Sequence, residues 1–444
     1  MSRLIVSAKS TPHRLSEVEP RSYFASKADH VLTVDSTKRY QTMLGFGGAF
    51  TESACYNLSR VSPAVREAAI KAYFDPVEGI GYSMGRVSIH GCDFSLSSYT
   101  YIEKGDVELK TFDISRDRQW VVPTIRDAEK IRGGKIALLA SPWTPPAWMK
   151  DNNSEIRGGH LLEQFADAWA RYYVRFLEEY RKEGLTMWGV TVQNEPAAVQ
   201  RWDSCIYSPE QERDFVKHHL GPVMKKSSCA DVKLLVWDHN RDIIVERVTP
   251  ILSDPETAQY VWGTAFHWYV STEFANVGKV HDLFPDKGLL FTEGCIEGGV
   301  KMDDWNSGER YAMNMIGDIS NHCQGYLDWN LWLDNLGGPN WVNNLCDAPI
   351  LLDIFPEKII KQSSYYYIGH ISKYVLPGAI RIHSAVDSAS LEQVAFQNPD
   401  GSVVVVVMNR TNLETTLKIQ VGAGAETVRV LPRSIFTYIA GGKR

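Results

Sequence analysis

Two acidic residues, each closing an apolar run, are the side chains of this sequence best placed to do chemistry. They are Glu195 in Thr191-Val192-Gln193-Asn194-Glu195-Pro196 and Glu293 in Leu289-Leu290-Phe291-Thr292-Glu293-Gly294. Burying an unpaired carboxylate costs on the order of several kcal/mol, so one kept at a strand end has a partner or a task. A single such residue reads equally well as a salt-bridged strand end; two in this order point to a working pair. Pro196 cannot donate to a sheet and disfavours helical backbone before it, which predicts Glu195 held extended where its strand stops. Gly294 gives a similar stop after Glu293. Two facing carboxylates are what cleavage of a glycosidic bond requires: one protonated to assist the leaving oxygen, one ionised to attack or to activate water. A separation of about 5–5.5 Å would mean retention through a covalent intermediate, and ~6.5–9.5 Å inversion.

Such a pair needs a frame. From about residue 43 to 374, short apolar runs alternate with longer amphipathic stretches. The candidate strands are Met43–Phe50, Tyr82–His90, Lys135–Trp143, Met187–Asn194, Val232–Asp238, Gly263–Tyr269, Gly288–Glu293 and Gly325–Leu333. Helical patterns lie between them, among them Pro63–Phe74, with Ser62 as N-cap and proline in the first turn, and Phe165–Glu183, closed by Gly184. The last crossover ends in Tyr365–Val375. Strand and helix alternating in this way predict an α/β fold, a (β/α)8 TIM barrel. Both glutamates then sit at the C-terminal ends of strands 4 and 7, roughly 135° apart around an evenly shared ring, facing each other across the mouth.

The two ends of the chain read as β-structure: residues 3–8, 30–35 and 379–440, with turns at Asn398-Pro399-Asp400-Gly401 and Gly422–Gly424. A small antiparallel β-sandwich built from both termini is the expectation, with boundaries at 1–42, 43–375 and 376–444.

The 444 residues are 44% hydrophobic and 23% charged, ordinary for a globular enzyme of more than one core. A net charge of −6 leaves no basic footprint for nucleic acid or an anionic membrane. The seven cysteines are scattered, odd in number and without a C-x-x-C pair, which favours reduced thiols. The N-terminus carries too short an apolar stretch for a signal peptide, so a cytoplasmic protein is the default expectation, with export lacking a leader as the alternative.

Trp143, Trp148, Trp202, Trp268, Tyr269, Trp329, Trp332 and Trp341 all fall in strand tails or C-terminal loops, a concentration that suits the flat C–H faces of sugar rings. Other patterns carry less. Gly81-Tyr82-Ser83-Met84-Gly85 leads into a strand, whereas a nucleophile elbow leaves one. Gly45-Phe46-Gly47-Gly48 lacks the third glycine of a dinucleotide loop and reads as close backbone packing. His218-His219 and His90-Gly91-Cys92 lack the companions of a metal site and read as helix surface and core.

Asp93-Phe94, Ser141-Pro142-Trp143-Thr144, Asn194-Glu195-Pro196, His267-Trp268-Tyr269 and Asp328-Trp329-Asn330, in this order, resemble the glucosylceramidase-like members of glycoside hydrolase family 30, from about Gly45 to the C-terminus. The resemblance implies Glu195 as general acid/base and Glu293 as the nucleophile of a retaining mechanism. It places Asn194 on the sugar 2-hydroxyl. Asp93 and Trp143 hold hydroxyls at the closed end of the glycone pocket, with Trp329 and Asn343 beside them, and Phe94 counts among the substrate-binding residues. His267 and Tyr269 line the site, and Arg86 keeps Glu293 ionised. No metal or organic cofactor is called for, since the two carboxylates supply proton, nucleophile and base. The implied substrate is a β-glucoside, foremost glucosylceramide, with a transient contact to the membrane glycolipid. A β-1,6-glucanase or β-xylosidase on the same barrel is the first alternative; a carbohydrate- or lipid-binding protein without turnover is the second.

Overall fold

The computed structural model describes residues 2–19 and 23–441; Met1, residues 20–22 and residues 442–444 lie outside the described residues. Eight parallel strands close a barrel: Gly45–Ala49, Met84–Ile89, Ala137–Pro142, Met187–Thr191, Lys233–Asn240, Val261–His267, Gly288–Glu293 and Gly325–Asn330. They are the eight expected strands, differing by a few residues at their ends. The barrel interior is floored by Met84, Leu139, Leu235, Ala265, Leu290 and Leu327, an apolar layer drawn from six strands. The glycines of the first strand serve packing: a Cβ on Gly47 would lie 2.0 Å from the Met84 carbonyl oxygen.

The helix Ala166–Lys182 forms because Trp169, Tyr172, Tyr173, Phe176, Leu177 and Tyr180 recur on one face and are buried together. Gly184, at φ +75°, turns the chain out of it. Pro63–Phe74 is helical as expected, although the Ser62 hydroxyl makes no capping bond. His219 pairs with Asp167 at 2.6 Å, and buried His90 meets the Tyr172 hydroxyl and the Thr144 carbonyl, both packing roles.

Both chain ends join in a nine-stranded sheet running Gly424–Val430, Thr415–Val421, His30–Thr42, Ile380–Val386, Leu391–Gln397, Val403–Asn409, Ser434–Ala440, Arg3–Ala8 and Ser16–Val18. It departs from the all-antiparallel expectation in one place: Thr415–Val421 runs parallel to His30–Thr42. These strands are far apart in sequence, so no hairpin fixes their direction. Alternation divides Val403–Asn409 between two cores: Val403, Val405 and Val407 face the sandwich interior, whereas Val404, Val406 and Met408 join the cluster continuous with the barrel helices. An addition the sequence reading did not foresee follows strand 8. A three-stranded sheet, Trp332–Asp334, Ile350–Asp353 and Lys358–Lys361, braces the loop that reaches over the mouth.

Candidate active site

Two residues above the apolar floor, the same inward face of the barrel turns polar. Arg86, Ser141, His267 and Thr292 follow Met84, Leu139, Ala265 and Leu290 at the period of a strand. Strand 5 reaches this layer differently. Its register with strand 6 shifts between Trp237 and His239, and Trp237 and Asp238 have φ of +75° and +57°. This bulge sends Trp237 into the outer core and brings Asp238 inward. Strand 7 shifts register between Phe291 and Glu293, so Thr292 and Glu293 both serve the site.

Arg86 is fully buried and organises the layer. Its Nη1 donates to Glu293 Oε2 at 2.9 Å and to the Thr292 carbonyl at 2.9 Å. Its Nη2 donates to Asp238 Oδ2 at 2.7 Å and to Asn194 Oδ1 at 3.0 Å, and its Nε to Ser141 Oγ at 3.2 Å. The guanidinium also lies 5.1 Å from the Trp143 ring and 5.7 Å from the Trp329 ring. Tyr269 donates its hydroxyl to Glu293 Oε1 at 2.8 Å, giving each Glu293 carboxylate oxygen a short donor. Because the Asn194 carbonyl oxygen is taken by Arg86, its amide N–H groups are left as donors.

Glu195 is held in another way. It lies past the end of strand 4 at φ +49°, in the left-handed region and not extended, which corrects the expectation drawn from Pro196. Hydrogen bonds from the Asn194 N–H to the Pro142 carbonyl (2.8 Å), from the Glu195 N–H to Asp238 (3.0 Å) and from the Ala198 N–H to Glu195 (2.9 Å) fix this turn. Its carboxylate meets only distant partners: His267 Nδ1 at 3.4 Å, Gln200 Nε2 at 3.4 Å and His239 Nε2 at 3.8 Å. Glu195, Glu293 and His267 each bring one ligand atom within 4.8 Å of the others. Among the described residues they are the set close enough to share a metal ion, but Arg86 and Tyr269 already occupy the Glu293 oxygens.

Burial pushes Asp93 up to about 7, against hydrogen bonds from Asn344 and Asn340, with the charge of Glu293 adding to the rise. His267 would be lowered by burial, yet Glu293, Asp238 and Glu195 raise it to about 9. With that ring protonated, burial of Glu195 is overcome by His239 and His267, which pull it down to about 2, while burial lifts Glu293 against the pull of His267 and Arg86. The hydrogen bonds argue for the opposite order. Glu293 accepts two short bonds, one of them from a guanidinium, an arrangement that favours its anion. Glu195 faces a titratable ring across 3.4 Å, so the mobile proton belongs to the Glu195–His267 pair, with Asp238 backing His267 Nε2 at 3.0 Å.

These groups open into a cavity of about 880 Å³, its mouth included. Asp93, Trp143, Asn194, Glu195, Tyr269, Glu293 and Trp329 line it, while His267 and Arg86 act from behind. Trp143 and Trp329 stack at 5.3 Å to form one wall. Besides His267, which was expected to line the site, and Arg86, two more expected residues do not reach the cavity. Phe94 is buried behind Trp329 in an edge-to-face contact at 6.1 Å. Asn343 is exposed at φ +58°, and its neighbour Asn344 lines the cavity instead, donating to Asp93 at 3.1 Å. The aromatic concentration also divides. Trp202 joins Trp143, Tyr269 and Trp329 on the cavity, but Trp148, Trp268 and Trp332 pack in the core and Trp341 anchors its loop through the Cys92 carbonyl.

The sequence reading passed over Asp238, His239, Asn240, Gln200, Glu297 and Asn340. Three of them form Asp238-His239-Asn240, a polar run directly after Leu234-Leu235-Val236-Trp237, which is a strand-end signal of the kind that marked Glu293.

Comparison with known proteins gives the family of the two domains. Residues 43–375 match the model of the glycosyl hydrolase family 30 TIM-barrel domain, and residues 378–438 that of the glycosyl hydrolase family 30 beta sandwich domain. Lysosomal acid glucosylceramidase of Mus musculus is 39% identical over 408 residues, 88% of this chain and 79% of the mouse protein. The crystal structure of SrfJ from Salmonella typhimurium superposes with a TM-score of 0.94 at 34% identity, covering 100% of both chains. The endo-β-1,6-glucanase BT3312 superposes with a TM-score of 0.88 at 31% identity, covering 100% of this chain and 99% of that one.

Proposed function

Because the chain belongs to glycosyl hydrolase family 30, we propose that it is a retaining β-glucosidase with glucosylceramide as its leading substrate. The observation that carries this reading is the unequal treatment of two carboxylates whose oxygens lie within 4.8 Å of each other, one clamped as an anion and one facing a proton store. So short a gap leaves no room for water between them and favours the double displacement. In the first step a Glu293 oxygen attacks the anomeric carbon while Glu195 gives its proton to the departing oxygen. In the second, Glu195 takes a proton from water, the water oxygen attacks the same carbon, and Glu293 leaves. Esterification removes the negative charge of Glu293, so Glu195 becomes the stronger acid and is ionised when a base is needed. Asn194 would donate to the sugar 2-hydroxyl, and Asp93 would accept from hydroxyls at the closed end.

Exposed Val199, Val270, Met302 and Leu336, in the loops after strands 4, 6, 7 and 8, favour an apolar aglycone. A β-1,6-glucan is the second reading, favoured by Gln200, Trp202 and Glu297, which line the cavity beside Glu195 and suit a second sugar ring. Turnover of an aryl β-glucoside, β-xyloside, β-galactoside, glucosylceramide and a β-1,6-linked glucan, by wild type and Glu293→Gln, tests both. Release of ceramide with net retention, lost in the variant, is the expected result; cleavage of the glucan alone would replace the leading reading with the second.

A further inference from the structure

All seven cysteines are free and buried, and five of them lie off the cavity against hydroxyls or carbonyl oxygens: Cys55 with Thr124, Cys92 with Ser95, Cys205 with Ile206, Cys229 with Ser228 and Cys323 with Gly325. The remaining two, Cys295 and Cys346, are neighbours whose thiols interact, and both line the catalytic cavity. Their segments are tied by an antiparallel bridge between Glu297 and Cys346 and by a 2.8 Å bond from the Asp347 N–H to the Ile296 carbonyl. The loop after the nucleophile is thus sewn to the loop after strand 8 at the point where the two thiols meet. Each thiol also touches one arm of the site. The Cys295 Sγ lies 3.6 Å from the Tyr269 hydroxyl, which donates to Glu293. Cys346 Sγ donates to the Asn344 carbonyl at 3.7 Å, and the Asn344 amide holds Asp93.

We propose that Cys295 and Cys346 form a dithiol modification site in the wall of the catalytic cavity, closed by a peroxide to an intramolecular disulfide that switches the site off. A sulfur–sulfur bond is about 2.05 Å long, far shorter than a contact between two thiols, so closure draws both sulfurs together. Cys295 would then leave Tyr269, and Cys346 would pull on the segment that carries Asn344. The chemistry balances with hydrogen peroxide as oxidant. The Cys295 thiolate attacks one peroxide oxygen, the O–O bond breaks, and a sulfenic acid and water result. Cys346 sulfur then attacks the sulfenyl sulfur, and a second water leaves with the Cys346 proton. The neighbouring Cys346 thiol and burial both disfavour the Cys295 thiolate, so closure is slow and quickens as pH rises. A small oxidant reaches the pair through the cavity they line.

Activity rests on the function proposed above, but the cross-link is read by mass and does not. The full chain is treated with hydrogen peroxide, quenched and alkylated, then divided between peptide mapping and turnover of an aryl β-glucoside, with and without dithiothreitol. The expected result is a Cys295–Cys346 linked peptide, a loss of tenfold or more in turnover relative to the untreated protein, and recovery with dithiothreitol. In Cys346→Ala, the treated-to-untreated ratio should stay near one. Cys295→Ala gives a second chance of a folded variant and should show the same protection. Absence of the linked peptide once the thiols have been consumed would overturn the site. Equal peroxide sensitivity of wild type and both variants, or a linked peptide without loss of turnover, would overturn the switch.

Discussion

The two walls of the cavity hold their carboxylates by different means. On the Glu293 side, the carboxylate ends a barrel strand and receives two bonds under 3 Å from Arg86 and Tyr269. On the Glu195 side, the carboxylate stands on a left-handed turn past its strand and meets three groups at 3.4 Å or more, two of them imidazoles. The contrast suits the roles proposed for the two carboxylates. A nucleophile must arrive at one carbon from one direction, and pre-set donors hold it there at no reorganisation cost. An acid that later becomes a base must give up and regain a proton, and strong donors to its anion would oppose that. On that proposal, rigidity is concentrated where the bond to carbon would form, and titratable groups where the proton would move.

The largest effect should come from the clamped side. Glu293→Gln keeps the shape and the contacts to Arg86 and Tyr269 but cannot form the glycosyl ester, so turnover should fall on the order of 10⁴-fold or more while a glucoside still binds. Steady-state kinetics with a binding measurement would check this; near-normal turnover would place the covalent step elsewhere.

Glu195→Ala should sharpen the contrast, because its loss depends on the leaving group. About 10²–10⁴-fold is expected on alkyl glucosides, which need a proton, and much less on activated aryl glucosides, which do not. Equal losses on both would mean that Glu195 positions the substrate and moves no proton.

His267 marks the boundary between the two walls, and its titration gives the third effect. Its folded value of about 9 lies above the ordinary 6.5, so the stability it contributes is fully present below about 6.5 and is lost as pH rises through 9. That gap corresponds to about 3 kcal/mol. Urea unfolding of wild type and His267→Gln across this range should show a pH-dependent difference of that order. The alkaline limb of kcat/KM on alkyl glucosides should also move to lower pH in the variant, since Glu195 would then keep the proton alone. A limb that stays in place would remove the proton from this pair.

Legibility in the sequence followed the same division. The barrel could be read because each strand is a short apolar run with its own boundary residues, and Glu293 because it sits within that pattern. Arg86, Asn194 and Tyr269 came from a family resemblance that local motifs carried. Asp238 escaped because a bulge, invisible to strict alternation, turned it inward. The conformation of Glu195 was misjudged because long-range bonds to Pro142 and Asp238 overrode the local preference set by Pro196. Aromatic position alone could not separate cavity from core, since Trp143 and Trp332 both lie at strand ends and only their three-dimensional neighbours differ.

The smallest effect tests the far end of the clamped wall, where adjacent asparagines have opposite fates. Asn344 donates to Asp93, a carboxyl that burial raises to about 7, and Asn340 shares the task at 3.2 Å. Removing one such donor costs about 1–3 kcal/mol when the acceptor stays buried, so Asn344→Ala should lower kcat/KM for glucosides by roughly tenfold. Asn343 faces solvent, with a carbonyl that accepts from Arg201 at 3.4 Å, and its side chain holds nothing in the cavity. Asn343→Gly preserves the left-handed backbone at this position and should leave kcat/KM unchanged within about twofold. If the two variants exchanged behaviour, the loop after strand 8 would sit one residue out of register, and Asp93 would lose the partner that aims it at the sugar.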